Sequence, residues 1–275
     1  MKRSKAPTIA LNVFLILLSL VMIAPFLWIL STSLRLPNES FKLPPSFFPS
    51  SFHWQNYRDV FTVFPFFDCI LNSVKVAVFS VGFNLIVSTM AGYAFARIPF
   101  KGRGFVFITF LAGMMVPVQA TLIPTYIMLS KIGLVGTHWS LILPAIISPL
   151  NIFFIRQYMM TIPGSYEEAA YIDGASRFRI YAQIFVPMST SVIIMTSLLT
   201  FLATWNSFLQ PLVYLSKWEM MTLPLGLKTL NGMRNTGSVS VVLAGVTISL
   251  VVPTLLYSFG HKYILQGSVM SGLKS

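Results

Sequence analysis

Charge is what this chain has least of. Only 9% of its 275 residues are Asp, Glu, Lys or Arg, where a soluble domain carries about a quarter. So little charge cannot cover a water-facing surface, which excludes an ordinary soluble globular protein. Acids are scarcest: seven, against 19 Lys and Arg, for a formal net charge of +12. That excess is no nucleic-acid footprint. The basic residues sit in small groups at the ends of apolar runs, with no basic patch, basic helix or aromatic RNA motif. The one cysteine, Cys69, excludes an intramolecular disulfide and a CxxC redox or zinc pair. His53, His138 and His261 are far apart and lack metal-ligand spacing, so no metal is expected. HExxH and GxSxG are absent too, and no paired acids fall inside the apolar runs, which leaves an intramembrane enzyme without support.

What is there is apolar: 55% hydrophobic residues and a mean hydropathy of +0.77. Stretches free of Asp, Glu, Lys and Arg cover 6–34, 76–96, 104–130, 132–155, 180–216 and 235–261, each longer than the roughly 20 residues a helix needs to cross a bilayer. They predict an all-α polytopic membrane protein, a single domain with six spans at about 8–33, 69–95, 105–128, 138–159, 188–212 and 239–261. "MKRSK" resembles the basic start of a signal peptide, but the apolar stretch behind it is too long and no A-x-A site closes it; a retained anchor is expected. An even number of spans puts both termini on one side. Eleven Lys and Arg fall on that side against seven on the other, so the termini are expected in the cytoplasm. The loops 35–67 and 213–238 then face outward, and 161–187 faces the cytoplasm.

The cytoplasmic stretch "PGSYEEAAYIDGAS" is punctuated as a helix. Ser165 with Glu168 three residues on reads as a capping box, the acids suit the first turn, and Gly174 is placed to stop the helix. A helix over 166–173 is predicted, with a second rising through Ile180 and Ile184 to Pro187. Two turns of helix are not stable alone in water, so the segment is either a solvated connector or a docking element whose small, polar face (Ala169, Ala170, Asp173) admits a partner.

Glu168, Ala169, Ala170, Gly174, Ile184 and Pro187 stand at the spacing of the cytoplasmic E-A-A…G…I…P motif of ABC import permeases, with Val186 where that motif usually has Leu. "PFLWILSTSLR" (25–35), "AGYAFARIPFKGR" (91–103), "WNSFLQPLVYL" (205–215) and the ending "HKYILQGSVMSGLKS" extend the likeness over nearly the whole chain. The chain resembles the smaller, six-span permeases of carbohydrate importers, related to the second membrane subunit of the maltose transporter. That resemblance implies the type I importer permease fold in a bacterial or archaeal cytoplasmic membrane. It implies an ATPase-coupling role for Glu168, Ala169, Ala170, Asp173, Gly174, Ile184 and Pro187. The tail 263–275 would reach the ATPase through Gln266 and Gly267. It further implies a second, related permease as heterodimer partner, a cytoplasmic ABC ATPase dimer, and an extracytoplasmic sugar-binding protein meeting loop 213–238. No GxxxxGK[ST] occurs, so ATP and Mg would be used by the partner ATPase and no cofactor by this chain. The expected solute is a di- or oligosaccharide. The alternatives are another solute, such as a phosphorylated polyol, or an ATP-independent secondary transporter, which should place acids mid-membrane.

Polar groups inside spans are costly unless functional or paired. Asn84, Gln119, Asn151, Asn206 and Gln210 are therefore candidates for the translocation pathway, the last two sharing a helix face by their spacing of four. Pro117 and Pro124 interrupt the third span, Pro144 and Pro149 the fourth, and the carbonyls they free must line a cavity or meet another helix. The competing reading makes these polar groups interhelical glue. Asp68, Asn72 and Lys75, at i, i+4 and i+7, read as a stripe holding an ion pair near the outer edge, and the methionines as packing.

Overall fold

The computed structural model describes residues 6–36, 39, 47–233 and 239–272; the side chains of 6–8, 233, 261 and 263–272 lie outside that description. Among the described residues every regular element is helical. In chain order they are α1 (Ala6–Ser33), α2 (Gln55–Val63), α3 (Phe66–Arg97), α4 (Arg103–Gly113), α5 (Val118–Lys131), α6 (Trp139–Ala145) and α7 (Pro149–Thr161). There follow α8 (Ser165–Ile172), α9 (Arg177–Ile180), a π-helical stretch (Tyr181–Phe185), α10 (Val186–Met188), α11 (Thr190–Trp205), α12 (Leu209–Tyr214), a 3₁₀ turn (Trp218–Met220), α13 (Leu223–Met233) and α14 (Val239–Gly272).

Four stretches are long and apolar enough to cross a membrane as they stand: Ile9–Ser33, Phe66–Arg97, Trp139–Thr161 and Val239–Gly260. Two more qualify as bent pairs, Arg103–Gly113 with Val118–Lys131 at 102° and Arg177–Met188 with Thr190–Trp205 at 79°, giving six if each pair is one span. The predicted third span is thus not one straight helix. Pro117 has no N–H for the Gly113 carbonyl, so α4 closes in tight turns (Met114 N to Leu111 O, Met115 N to Ala112 O, both 3.0 Å), and the chain restarts with Pro117 as extended N-cap of α5. Pro124 stays inside α5 without breaking it.

The chain forms two compact units. The first comprises Met1–Phe67 with Gly226–Val251. In it, α1 is apolar all round and unburied over its spanning window, the pattern of a helix facing lipid. Its end is tied down from α2: Asn56 Nδ2 donates to Ser33 O (2.9 Å) and Arg35 O (2.8 Å), satisfying carbonyls the helix cannot. Arg35 lies over the Trp28 ring at 4.7 Å.

The second unit, Asp68–Leu225 with Val252–Ser275, carries both candidate sites. Here α3 and α7 pack with backbones close together. A Cβ on Gly92 would lie 2.6 Å from Ile155 Cγ2, so only glycine allows the approach. Asn72 turns from its stripe to the outer loop, donating to Glu219 O (2.8 Å) and Met221 O (3.1 Å). Ser73 Oγ accepts from Leu223 N at 2.7 Å. Asn72, with its neighbour Ser73, therefore anchors the loop 213–238 to α3.

Candidate functional site

The loop 161–187, expected on the cytoplasmic side, builds a short, well-terminated helix. Gly164, not Ser165, is the N-cap of α8, and no side-chain cap bond forms there. This corrects the capping-box reading: the Gly164 carbonyl already accepts from Glu167 N (2.9 Å) and Glu168 N (3.0 Å), which draws Ser165 into the first turn. Termination is as expected. Gly174 adopts φ +75°, its N–H donates to Tyr171 O (3.0 Å) and Ala175 N–H donates to Ala170 O (2.9 Å), the paired bonds of a Schellman motif.

The helix faces differ from the expected docking surface. Ala170, 9% exposed, packs inward with Tyr93, Ile155, Met159, Ile162, Ile180 and Phe185. Ala169 and Asp173 face outward. Large apolar side chains stand beside them, Ile172 at 86% exposure and Phe178 at 67%. Ala170, Asp173, Ala175, Arg179, Ile180 and Ile184 line a groove of about 320 Å³ between α8 and α9. The exposed Ile172 and Phe178 were missed from sequence; a bulky apolar residue in an otherwise polar cytoplasmic helix was the available signal.

Beyond the loop, the rising segment does not continue as plain α-helix. Val186 N–H reaches back five residues to Tyr181 O, making Tyr181–Phe185 π-helical. Pro187 is the local cause: it cannot donate to Gln183 O and its ring crowds that carbonyl, and a wider turn steps around the clash.

A cavity of about 300 Å³ lies deeper in the unit. Two helix breaks border it, between α6 and α7 (Ala145, Ser148, Pro149) and between α11 and α12 (Thr204, Ser207, Gln210). At the first break Pro149 leaves Ala145 O without its helical donor. Asn84 supplies the replacement, its Nδ2 donating to Ala145 O (3.0 Å) and Ile146 O (3.1 Å). Its Oδ1 accepts from Asn151 Nδ2 (2.6 Å), which also donates to Thr200 Oγ1 (2.7 Å). Asn84 and Asn151, both buried, thus act as glue between α3, α7 and α11 while lining the cavity. Gln210 lines it too. Asn206 and Gln210 do not share one helix face, because α11 ends at Trp205 and α12 starts at Leu209. Asn206 and Gln119 are exposed and are not among the cavity's lining residues. Gln266 and Gly267 fall in the last turns of α14, where side chains are outside the described set.

Residues 85–266 match the family described as the binding-protein-dependent transport system inner membrane component. The chain belongs to that family. Among its relatives, the arabinooligosaccharides transport system permease protein AraQ of Halalkalibacterium halodurans is 32% identical over 279 residues, covering all of both chains. The probable ABC transporter permease protein YurM of Bacillus subtilis is 32% identical over 266 residues, covering 95% of this chain and 87% of its own. A crystal structure of a bacterial ABC transporter for import of the acidic polysaccharide alginate contains a chain of the same fold. Its TM-score is 0.83 at 23% identity, over 96% of this chain and 99% of that one. The matched family segment contains α8 and the cavity's Asn151, Ser207 and Gln210; Asn84 stands one residue ahead of it. The chain is therefore a multi-pass membrane component of an importer family.

Proposed function

We propose that this chain is a permease subunit of an ATP-driven importer in a bacterial cytoplasmic membrane, moving a neutral saccharide. The observation that carries the reading is α8: a helix of eight residues with a defined stop, placed between the fourth and fifth spans with Ile172 and Phe178 uncovered. A helix so short needs a partner to be stable, and an ATPase cleft is the partner consistent with the motif at 168–187 and with the family. The chain carries no P-loop of its own, so ATP and Mg would be used by that separate ATPase. A second, related permease and an extracytoplasmic binding protein complete the assembly; the family description itself names dependence on a binding protein. Relatives named for oligosaccharide transport support a saccharide as solute.

A second reading, a phosphorylated polyol, is disfavoured by the cavity. Its lining has hydroxyls and amides but no Lys, Arg or His among the described residues, and a phosphate buried without a cation or several donors would be costly. The test is ATPase stimulation in the purified intact complex with its binding protein. Neutral oligosaccharides such as arabinotriose or cellobiose should stimulate, and glycerol 3-phosphate and an oligogalacturonate should not. Stimulation by the charged probes alone would overturn the reading of the solute. Uptake by this chain alone in liposomes, without an ATPase, would overturn the importer reading.

A further inference from the structure

Thr89, Tyr93 and Arg97 recur every four residues at the inner end of α3, so they share one face. Each touches a boundary of the cytoplasmic loop. Thr89 Oγ1 hydrogen-bonds the Tyr181 hydroxyl at 2.8 Å. The Tyr93 ring lies 5.5 Å from the Tyr181 ring and 5.0 Å from the Phe185 ring, both in the π-helical stretch. Arg97 touches both boundaries at once. Its guanidinium donates to Met159 O (2.7 Å) and Ile162 O, where α7 ends, and sits 4.8 Å over the Phe185 ring, where the chain re-enters the fold. On a different face of α3, in line with Gly92 and toward α7, Ser88 Oγ donates to Asn84 Oδ1 (3.3 Å) and Asn84 holds the break beside the cavity.

We propose that the stripe of Thr89, Tyr93 and Arg97 clamps both ends of the α8 loop to α3, with Arg97 as the positioning residue, so that α8 and the inner half of α3 move as one body. The inference rests on the docking role proposed for α8 and adds the route its motion takes. A push on α8 cannot be absorbed where the chain leaves α7 or at the π-helical stretch, because both are held by the same side chain. The displacement passes into α3 and reaches the α6–α7 break through Asn84. The π-helical geometry forced by Pro187 matters here because it sets Tyr181 and Phe185 at the positions the stripe grips.

The test is a distance measurement in the reconstituted complex with its ATPase. A Cys69→Ala background removes this chain's one native thiol, and spin labels are placed at Tyr166→Cys on α8 and Met90→Cys on α3, both exposed. With native Arg97 the separation should change by less than about 2 Å between the nucleotide-free state and the state trapped with Mg-ATP and vanadate, the size of a packed-helix shift. Arg97→Gln should let it change by about 5 Å or more, one helical turn, while ATP turnover by the assembled complex stays within about twofold, well under the tenfold of 1.4 kcal/mol. Tyr93→Phe, which keeps the ring and removes a hydroxyl without a hydrogen-bond partner, should leave the distance as in the native complex. Should Arg97→Gln fail to assemble, Arg97→Lys and Tyr181→Phe loosen the clamp one contact at a time and should each widen the change. Equal small changes in every clamp variant that assembles would overturn the clamp. Deletion of 166–173 is the separating control. If ATP turnover stays coupled to transport without α8, the docking reading fails and the clamp with it. If that deletion uncouples while the clamp variants behave as native, only the clamp fails.

Discussion

Replacing Asn84 by Leu would test the account of the α6–α7 break. Beside longer bonds from Ser88 Oγ and Thr200 Oγ1, the side chain makes three short ones that a Leu of similar size cannot: Nδ2 to Ala145 O and Ile146 O, and Oδ1 from Asn151 Nδ2. At about 0.6 kcal/mol for an average interhelical hydrogen bond in a membrane protein, losing all three costs about 2 kcal/mol. Counted instead as buried groups left unpaired, at about 1–3 kcal/mol each, the two carbonyls alone cost about 2–6 kcal/mol. Pro149 cannot rescue Ala145 O, which favours the larger figure. The cavity can admit water to the freed groups, which favours the smaller. A loss of about 2–4 kcal/mol is expected from these opposing terms, read by reversible denaturation in mixed micelles. Ser88→Ala, which removes one long bond of 3.3 Å to Asn84, should cost under about 1 kcal/mol. A loss below about 0.5 kcal/mol for Asn84→Leu would refute the reasoning, since the break would then be satisfied without Asn84.

Other perturbations separate the remaining claims. Gly92→Ala should destabilise the fold by about 1–3 kcal/mol through overpacking, because its Cβ would meet Ile155 at 2.6 Å, whereas Gly82→Ala, with nothing within 4 Å, should be neutral or slightly stabilising by thermal denaturation. Gly174→Ala forces a side chain onto φ +75°, costing about 1–2 kcal/mol locally, and should lower transport more than it lowers protein yield in membranes. Gln210→Leu should cut uptake by the intact complex roughly three- to tenfold, the worth of one hydrogen bond, and Gln119→Leu should change it little. Removing 263–275 should alter ATPase stimulation while leaving membrane insertion intact, as seen by comparing ATP turnover with membrane yield.

The long apolar helices were open to view in the sequence because lipid imposes a crude, length-based requirement on each of them. The predicted spans mark where α1, α3 and α14 lie, to within a few residues at their outer ends. The stop of α8 at Gly174 was equally visible, because a left-handed residue after a helix is a local demand met by one residue type. The faces of α8 were not. Adjacent alanines at 169 and 170 offer no contrast between inside and outside, yet only Ala170 enters the core. Ile172 is apolar but exposed, so hydrophobicity alone points the wrong way in a helix that packs on its own chain with one face. The capping box failed for a related reason: Ser-x-x-Glu is a four-residue pattern, and Gly164 had already taken the amides it would have served.

The break after Trp205 shows what a nearer reading of proline would have found. Pro149 and Pro211 both stand in the first turn of a helix, α7 and α12, where proline's missing N–H costs least. Each therefore marks a start, and a start inside an apolar run implies a break just upstream: Ile146–Ser148 in one case and Asn206–Phe208 in the other. The two breaks then part company. Ala145 O is recovered by Asn84. Pro211 cannot donate to Ser207 O, and among the described residues no side chain does for that carbonyl what Asn84 does for Ala145. A backbone group so placed needs water or a solute hydroxyl, and Ser207 borders the cavity. On the saccharide reading proposed above, the break that Asn84 seals serves the fold, and the break at Ser207 is where a solute hydroxyl would find an acceptor.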